Sequence, residues 1–360
     1  MHFSTAAVLS LSLSVSAALA STHAPSNSKR HSHLKRASGY KLTTHAAGQD
    51  FFDLFDFDSH SSNGGIANFV DKETAWKEGL LEVKHNKAHI RVSDKDKGGM
   101  RDAVKLVTKQ RYSEGLYVWD VERMPQTCGS WASLWSTGEN WPQGGEIDLI
   151  EYVSHQSMNS FSVHTGEGCW AGSSGYTGRA MLATQNALNC NADATDSQGC
   201  GFRTKRNNTA GMGANFNGGG LYVLEWSSAG IKAWMFERGQ IPKDLSSGSP
   251  NPSSWTTPDM YISASSCNPS TYFSPQQLTQ NLTCSFVSSF YCSIPCHSFT
   301  LCLGTWPNGV WNTDNSYAGQ SEGSCASTTG FDTCEAYVQS RGWDFKHAYW
   351  RIASLDIYNY

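Results

Sequence analysis

The pattern of hydrophobic and polar positions along the chain predicts an all-β protein. Short runs of alternating, β-branched and aromatic residues recur between clusters of Gly, Pro, Asn and Ser, as at residues 103–107 and 116–119. Residues 221–226 and 231–236 predict two strands joined by a four-residue hairpin turn. The aromatic and acidic residues 51–57 predict an edge strand. Turn signals at these intervals are typical of an antiparallel β-sandwich.

One further run, residues 146–153, carries three carboxylates. Its apolar residues are Ile147, Leu149 and Ile150, and its acids are Glu146, Asp148 and Glu151. Because alternate residues of a strand share a face, Glu146 and Asp148 point the same way and Glu151 would point into the core. A buried unpaired carboxylate is costly, and a β-bulge adds the one residue that turns Glu151 back. We therefore predict a bulged strand with three acids on one face.

Three acids on one face repel one another, which raises at least one pKa and favours one ionised and one protonated Glu. Such a pair is suited to work at a glycosidic bond, where retaining chemistry needs carboxyl groups ~5–5.5 Å apart. Four effective strand steps would separate the Cα atoms of Glu146 and Glu151 by roughly 13 Å, so the strand must be concave and the side chains converge. The alternative interpretation is a solvated acidic edge strand.

Aromatic residues next to the acids favour a sugar cleft. Trp135 and Trp141 lie just upstream, and we expect both to stack on sugar rings, with core packing as the alternative for each. His164 ends an alternating run, residues 161–164, and is expected to line the cleft beside Glu151. A structural histidine in a loop is the alternative. The polar stretch 171–220 is expected to form functional loops.

The motif GEIDLIE resembles the active-site signature of glycoside hydrolase family 16 in its bulged form. Further segments are similar to the fungal endo-1,3(4)-β-glucanases, or laminarinases: residues 98–142, SVHTGEGCW at 162–170, LEWSSAGIKAWMF at 224–236 and the closing AYWRIASLDIY. The resemblance implies a curved antiparallel β-sandwich, a concanavalin-like jelly roll, with the active site on its concave face. It also implies retaining hydrolysis of 1,3- or mixed 1,3/1,4-linked β-glucan. We expect no cofactor and no metal among the site residues.

By the same resemblance Glu146 is the nucleophile, Glu151 the general acid/base and Asp148 the residue that tunes Glu146. The β-glucan polysaccharide is then the partner, and we expect a monomer. The family also contains transglycosylases and non-catalytic lectins, so a glucan transglycosylase and a β-glucan-binding wall protein are the alternatives. The presence of both Glu146 and Glu151 argues against the binding-only function.

The N-terminal segments of the 360-residue chain indicate a secreted protein. Residues 1–20 are typical of a signal peptide, with an A-x-A-like site at residues 18–20; repeated Ser residues argue against a transmembrane helix. Residues 21–36 are basic and predict a pro-segment or a flexible tail, which leaves residues 37–360 as a single catalytic domain. Removing residues 1–36 changes the formal net charge from −4 to −8, which argues against nucleic acid or an anionic membrane as a partner.

The eleven cysteines predict disulfides, since secreted chains are oxidised. No C-x-x-C pair occurs, so a zinc site is not expected. Cys190 and Cys200 are candidates to tie down the long loops. Asn207 and Asn281 begin glycosylation sequons.

Residues 285–303 depart from the family pattern. They contain no Gly and no charged residue, and three of the eleven cysteines, Cys292, Cys296 and Cys302. Deleting them would rejoin the family-like sequence and leave eight cysteines, an even number. Our hypothesis is read-through of a short non-coding segment; a genuine hydrophobic loop is the alternative.

Overall fold

The structure, a computed structural model, describes residues 39–60, 66–96, 98–181, 186–283, 311 and 323–360. The expected signal peptide, pro-segment and insertion at 285–303 lie outside these residues. Ala37–Tyr360 forms one compact unit. Among the described helices, none has the length and apolar character needed to cross a bilayer.

The described residues form two eight-stranded antiparallel sheets and one small parallel pair. The strands are β1 (Lys41–Ala46), β2 (Phe55–Phe57), β3 (Ala67–Phe69), β4 (Leu81–Lys84), β5 (Lys87–Arg91), β6 (Arg101–Ala103), β7 (Lys105–Thr108), β8 (Gly115–Arg123), β9 (Trp131–Thr137), β10 (Glu146–Val153), β11 (Ser160–His164), β12 (Arg179–Ala180), β13 (Cys200–Arg203), β14 (Gly220–Ser227), β15 (Gly230–Glu237), β16 (Met260–Ser263), β17 (Gln277–Thr283) and β18 (Tyr349–Asn359). The front sheet has the order β12-β13-β11-β10-β9-β17-β7-β2. The back sheet has the order β16-β15-β14-β8-β18-β5-β4, with β1 paired to β18. The pair is β3 with β6.

A hydrophobic core fills the space between the two sheets. Ile147 and Phe161 of the front sheet and Trp119 and Tyr222 of the back sheet all belong to it, and each is at most 1% exposed. These residues alternate along their strands with residues that face away from the core, the two-period pattern of the sequence. The predicted all-β sandwich is therefore confirmed.

Helices are short and lie outside the sheets. They are α1 (Gly48–Asp53), α2 (Lys72–Lys77), α3 (Gly211–Phe216), α4 (Lys243–Ser246), α5 (Pro269–Tyr272), α6 (Cys325–Thr329) and α7 (Cys334–Ser340), with 3-10 turns at Arg238–Gln240, Pro252–Ser254 and Gly342–His347. The expected strand over 51–57 is correct only for β2, at the sheet edge; Phe51 and Phe52 lie in α1, where both contact the core. Phe51 and Phe52 would be buried in a strand as well as in a helix, so the hydrophobic pattern alone could not decide between the two.

Two further expectations need correction. The stretch 171–220 is not all loop, because it contributes β12 and β13 to the front sheet and the helix α3. The hairpin turn between β14 and β15 is two residues long, because Ser227 and Gly230 pair as the last residues of the strands.

Three disulfides lie within the described chain, as expected, and two of them connect distant segments. They join Cys128 to Cys325, Cys169 to Cys267 and Cys190 to Cys200. The last confirms the expected tie within the long loops. Cys334 is disulfide-bonded as well.

The two sequons differ in accessibility. Asn207 is exposed in a loop, where a glycan can be attached. Asn281 lies within β17 between two neighbouring strands, is 8% exposed, and accepts a hydrogen bond of 2.7 Å from the Trp135 indole. Its side chain is thus engaged in the folded protein, and the expectation of glycosylation at Asn281 is not supported.

Candidate active site

The acidic strand β10 lies in the interior of the front sheet. It pairs with β9 on one side and β11 on the other, so the alternative of a solvated edge strand is wrong. Ile147, Leu149 and Ile150 belong to the core. Glu146, Asp148 and Glu151 lie on the opposite face of the sheet, which we call the acidic face.

A β-bulge brings the third acid onto this face. Across β11, Glu146 pairs with His164 and Glu151 pairs with Ser160. Five residue steps on β10 therefore match four on β11, and the register shifts after Asp148 on both neighbouring strands. Without a bulge, the five steps from Glu146 to Glu151 would leave their side chains on opposite faces of the sheet. The extra residue returns Glu151 to the face of Glu146. The predicted bulge is confirmed.

Two glycines shape the turn into β10. A Cβ on Gly144 would lie 1.9 Å from the backbone oxygen of Glu139. Gly145 has a φ of +75° and its missing Cβ would collide with Phe273. The chain can therefore enter β10 this tightly only with glycine at both positions, which fixes where Glu146 begins the strand.

The three acids and His164 form one cluster on this face, in which hydrogen bonds hold both Asp148 and Glu151. His164 Nε2 lies 3.0 Å from Asp148 Oδ2, and the Asp148 carboxyl also interacts with Glu146. Ser162 Oγ donates to Glu151 Oε2 over 3.4 Å. Glu146, Asp148 and His164 are each at most 6% exposed. His164 therefore lines the acidic face as predicted, but its direct partner is Asp148 and not Glu151.

Burial raises the pKa of every carboxyl in the cluster. It raises the pKa of Glu146 to about 8, and the Asp148 charge adds to the rise. Burial also raises the pKa of Asp148 well above its ordinary value, with Glu151 contributing. The pKa of Glu151 is raised by burial too, while the positive charges of His164 and Arg203 counteract the rise. Acids packed this closely titrate as a coupled group and not one by one.

The predicted stacking residues lie around this cluster. Trp135 is partly buried on β9, directly opposite Asp148. Its indole N–H is fixed by Asn281, and the Lys105 ammonium lies 5.9 Å from the ring centroid. Trp141, also partly buried, lies against the Glu146 carboxyl and 6.5 Å from His164 between ring centroids. Both indoles therefore border the acids.

Sequence reasoning missed three residues of the site. Trp131, four residues before Trp135 on β9, forms a side-chain hydrogen bond with Glu151. Ser162 bonds the same carboxyl. Arg203 is 1% exposed and pairs with Ser160, which pairs with Glu151, so all three share the acidic face. Alternation within residues 160–162 could have indicated Ser162; the pairing of β13 with β11 could not be read locally.

Two groups of side chains have metal-like geometry among the described residues. Glu146, Asp148 and His164 bring one possible ligand atom each within 4.8 Å of one another. The second group is Cys128, Cys325 and His155, but its two cysteines form a disulfide and offer no thiolate. A divalent cation bound by Glu146, Asp148 and His164 would have to replace the hydrogen bond between His164 and Asp148.

Comparison with known proteins places this site in a family. The model of an XgeA-like, catalytic GH16 domain matches residues 52–289. A probable glycosidase of Schizosaccharomyces pombe is 32% identical over 90% of the chain and 70% of its own length. A probable endo-1,3(4)-β-glucanase of Aspergillus fumigatus is 31% identical over 91% of the chain, but the chain spans only 46% of that protein.

Solved structures give the same result. Laminarinase 16A from Phanerochaete chrysosporium, with β-glucans in its donor and acceptor sites, is 30% identical and superposes with a TM-score of 0.73 over 89% of this chain and 99% of its own. An elongating family 16 β-1,3-glucosyltransferase has the same identity and TM-score and is covered in full. Since the family model matches more than half of the chain and the β-sandwich fold agrees, the chain belongs to glycoside hydrolase family 16.

Proposed function

We propose that this protein is a secreted, retaining endo-β-glucanase that hydrolyses 1,3- or mixed 1,3/1,4-linked β-glucan. The observation that carries the proposal is the bulge in β10, because it places Glu146, Asp148 and Glu151 on one face. Retaining hydrolysis needs two carboxyl groups on opposite sides of the scissile bond, one as nucleophile and one as acid and base.

In the first step Glu146 attacks the anomeric carbon, while Glu151 donates a proton to the departing glycosidic oxygen. In the second step Glu151 takes a proton from water, and the hydroxide displaces Glu146 to release the sugar. Glu146 must be ionised to attack, although burial raises its pKa to about 8. Asp148, which His164 Nε2 contacts at 3.0 Å, carries the charge that contributes to this rise, so Asp148 tunes the ionisation of the nucleophile.

Sugar binding is assigned to the aromatic residues that border the acids. Trp135 and Trp141 present partly buried indoles, and His164 lies between Trp141 and Asp148. Aromatic faces bind the apolar faces of pyranose rings. Laminarinase 16A, with β-glucans in donor and acceptor sites, supports β-glucan as the substrate class.

A mechanism-based label tests the roles of the two glutamates. A fluorinated dinitrophenyl glucoside should trap a covalent intermediate, and peptide mass spectrometry should find the sugar on Glu146. Glu151→Ala should be rescued by azide on an activated aryl glucoside and give the β-azide. Label on Glu151, or an α-azide product, would reverse the assignment.

Transglycosylation is the second candidate, favoured by the likeness to the elongating β-1,3-glucosyltransferase. Both reactions share the covalent intermediate and differ in whether water or a sugar hydroxyl attacks it. Product lengths from laminarin, lichenan and galactan distinguish them. Hydrolysis yields only chains shorter than the substrate, whereas transfer yields longer ones at high substrate concentration.

A further inference from the structure

Asn159 is a fully buried amide next to the bulge that the proposed chemistry does not use. It lies between β10 and β11 and is 0% exposed. Its Nδ2 donates to the Leu149 carbonyl over 3.0 Å, and its Oδ1 accepts from the Glu151 backbone N–H over 3.1 Å. One side chain thus spans the two ends of the bulged segment.

One of the backbone groups that it binds, the Leu149 carbonyl, belongs to the residue that the bulge takes out of the ladder, and the other, the Glu151 N–H, belongs to the first residue after the bulge that pairs again with β11. Asp148 pairs with Ser162 and Glu151 with Ser160, which leaves two residues of β10 unmatched on β11. On β9 the register passes from Asp148 to Ile150, so within these strands Leu149 is the extra residue. Buried backbone groups left without partners are costly. The Asn159 amide satisfies one donor and one acceptor there.

An asparagine is well suited to this place. Its amide offers a donor and an acceptor side by side, whereas an ionised carboxylate can only accept and an aliphatic side chain does neither. Asn159 is itself held from the other side: its backbone N–H donates to Thr209 Oγ1 over 2.9 Å, and its carbonyl accepts from the Thr204 N–H over 3.0 Å. The amide is therefore fixed against the loop after β13.

We propose that Asn159 is a positioning residue that fixes the bulge and thereby the direction of the Glu151 side chain. The inference rests on the proposed function, in which Glu151 is the general acid/base. Glu146 lies before the bulge in regular register with Thr137 and His164, so its position does not depend on Asn159. Loss of the amide should therefore impair proton transfer and spare nucleophilic attack.

Leaving-group dependence measures this difference. A glucan chain leaves only when its oxygen is protonated, whereas dinitrophenolate leaves without help. In Asn159→Ala we expect kcat on laminarin to fall by about 10- to 100-fold, the loss typical of a catalytic group misplaced by about 1 Å. With a dinitrophenyl β-glucan oligosaccharide, the rate of dinitrophenol release in the first turnover should change by less than about 3-fold, and azide should raise turnover.

The readout is a ratio of two rates per active site. Trapping with the fluorinated glucoside counts folded sites, so partial unfolding does not alter the ratio. If Asn159→Ala does not fold, Asn159→Asp keeps the oxygen that accepts from Glu151 and should shift the ratio in the same direction. Val223→Ala, a buried change in the back sheet, is the matched control and should lower stability without changing the ratio.

An equal loss on both substrates would overturn the inference, because it would make Asn159 merely structural. So would an unchanged rate on laminarin. The proposed function is judged separately by Glu151→Gln. If Glu151→Gln lacks the leaving-group dependence, the role of Glu151 fails; if Glu151→Gln shows it and Asn159→Ala does not, only the role of Asn159 fails.

Discussion

The two sheets use their outward faces in opposite ways. On the back sheet, Val118, Val223, Trp234 and Phe236 form a second apolar cluster, covered by the segment that carries Trp255. On the front sheet the equivalent face holds buried acids, a histidine and an arginine. The two sheets share one core, but the outer face of the back sheet is apolar and that of the front sheet is polar.

Charges are also handled differently on the two faces. Glu225 of the back sheet lies opposite Lys232, with Nζ to Oε2 at 2.9 Å, and it accepts a hydrogen bond from Tyr40. The front sheet instead places three acids side by side, and burial raises the pKa of each. Buried like charges destabilise a fold, whereas a paired charge can be neutral in its effect. The comparison indicates that the front face is arranged for chemistry at the expense of stability.

The same substitution on each face should give the largest contrast in activity. Glu146→Gln removes the nucleophile and should lower kcat by about 10³-fold or more, since no other group can form the covalent intermediate. Glu225→Gln, the matched control on the back sheet, should keep kcat within about 2-fold. Initial rates on laminarin, normalised to folded protein by circular dichroism, measure both. A large loss in Glu225→Gln would contradict the separation of the two faces.

Removing a large buried side chain from the outer face of the back sheet should give the largest change in stability. Trp234 is 2% exposed and packs edge-to-face on Trp255 at 5.2 Å between ring centroids. Trp234→Ala should lower the free energy of unfolding by about 3–5 kcal/mol. Urea denaturation measures the loss, and kcat per folded molecule should stay at the wild-type value. Reduced kcat in the folded fraction would show that the back face supports the site.

Asp148→Asn should have an intermediate effect on activity. We expect kcat to fall by about 10- to 100-fold. The loss of a general acid or base can be larger, up to about 10⁴-fold. Because the Asp148 charge raises the pKa of Glu146, the variant should shift the acidic limb of the pH profile of kcat/KM to lower pH. The profile between pH 3 and 9 measures the shift; an unmoved acidic limb would remove Asp148 from the catalytic unit.

The smallest effect concerns stability on the front face. Burial raises the pKa of Glu146 from 4.5 to about 8, so with rising pH the unfolded chain loses this proton first. Ionisation therefore favours unfolding across this window, and the penalty is constant above it. Glu146→Gln removes the penalty. Its gain in unfolding free energy over the wild type should therefore grow between pH 4.5 and 8 and stay level above that range.

Urea unfolding of wild type and Glu146→Gln at pH 4.5, 6 and 8.5 measures this gain. Glu225→Gln is again the control, because it makes the same substitution at an acid that is paired with Lys232 and lies outside the acid cluster. A gain that is independent of pH would mean that the burial of Glu146 is not the source of the instability.

The sequence by itself determined the β class, the acidic strand and its bulge. The reason is local: a two-residue period states which side chains share a face, and Glu151, one step out of phase, requires an extra residue if it is to avoid the core. Both consequences appear in β10. The family resemblance was equally local, because it rested on contiguous motifs around that strand.

Only the tertiary structure decided which partners surround the acids. Asn281 reads as a sequon, yet it holds the Trp135 indole from a strand 146 residues away. His164 was placed beside Glu151 but bonds Asp148, since the choice depends on the register of β11. Arg203 joins the acidic face through β13, in a stretch that looked like loop. Strand order and register depend on pairings between distant segments, and local alternation carries no information about them.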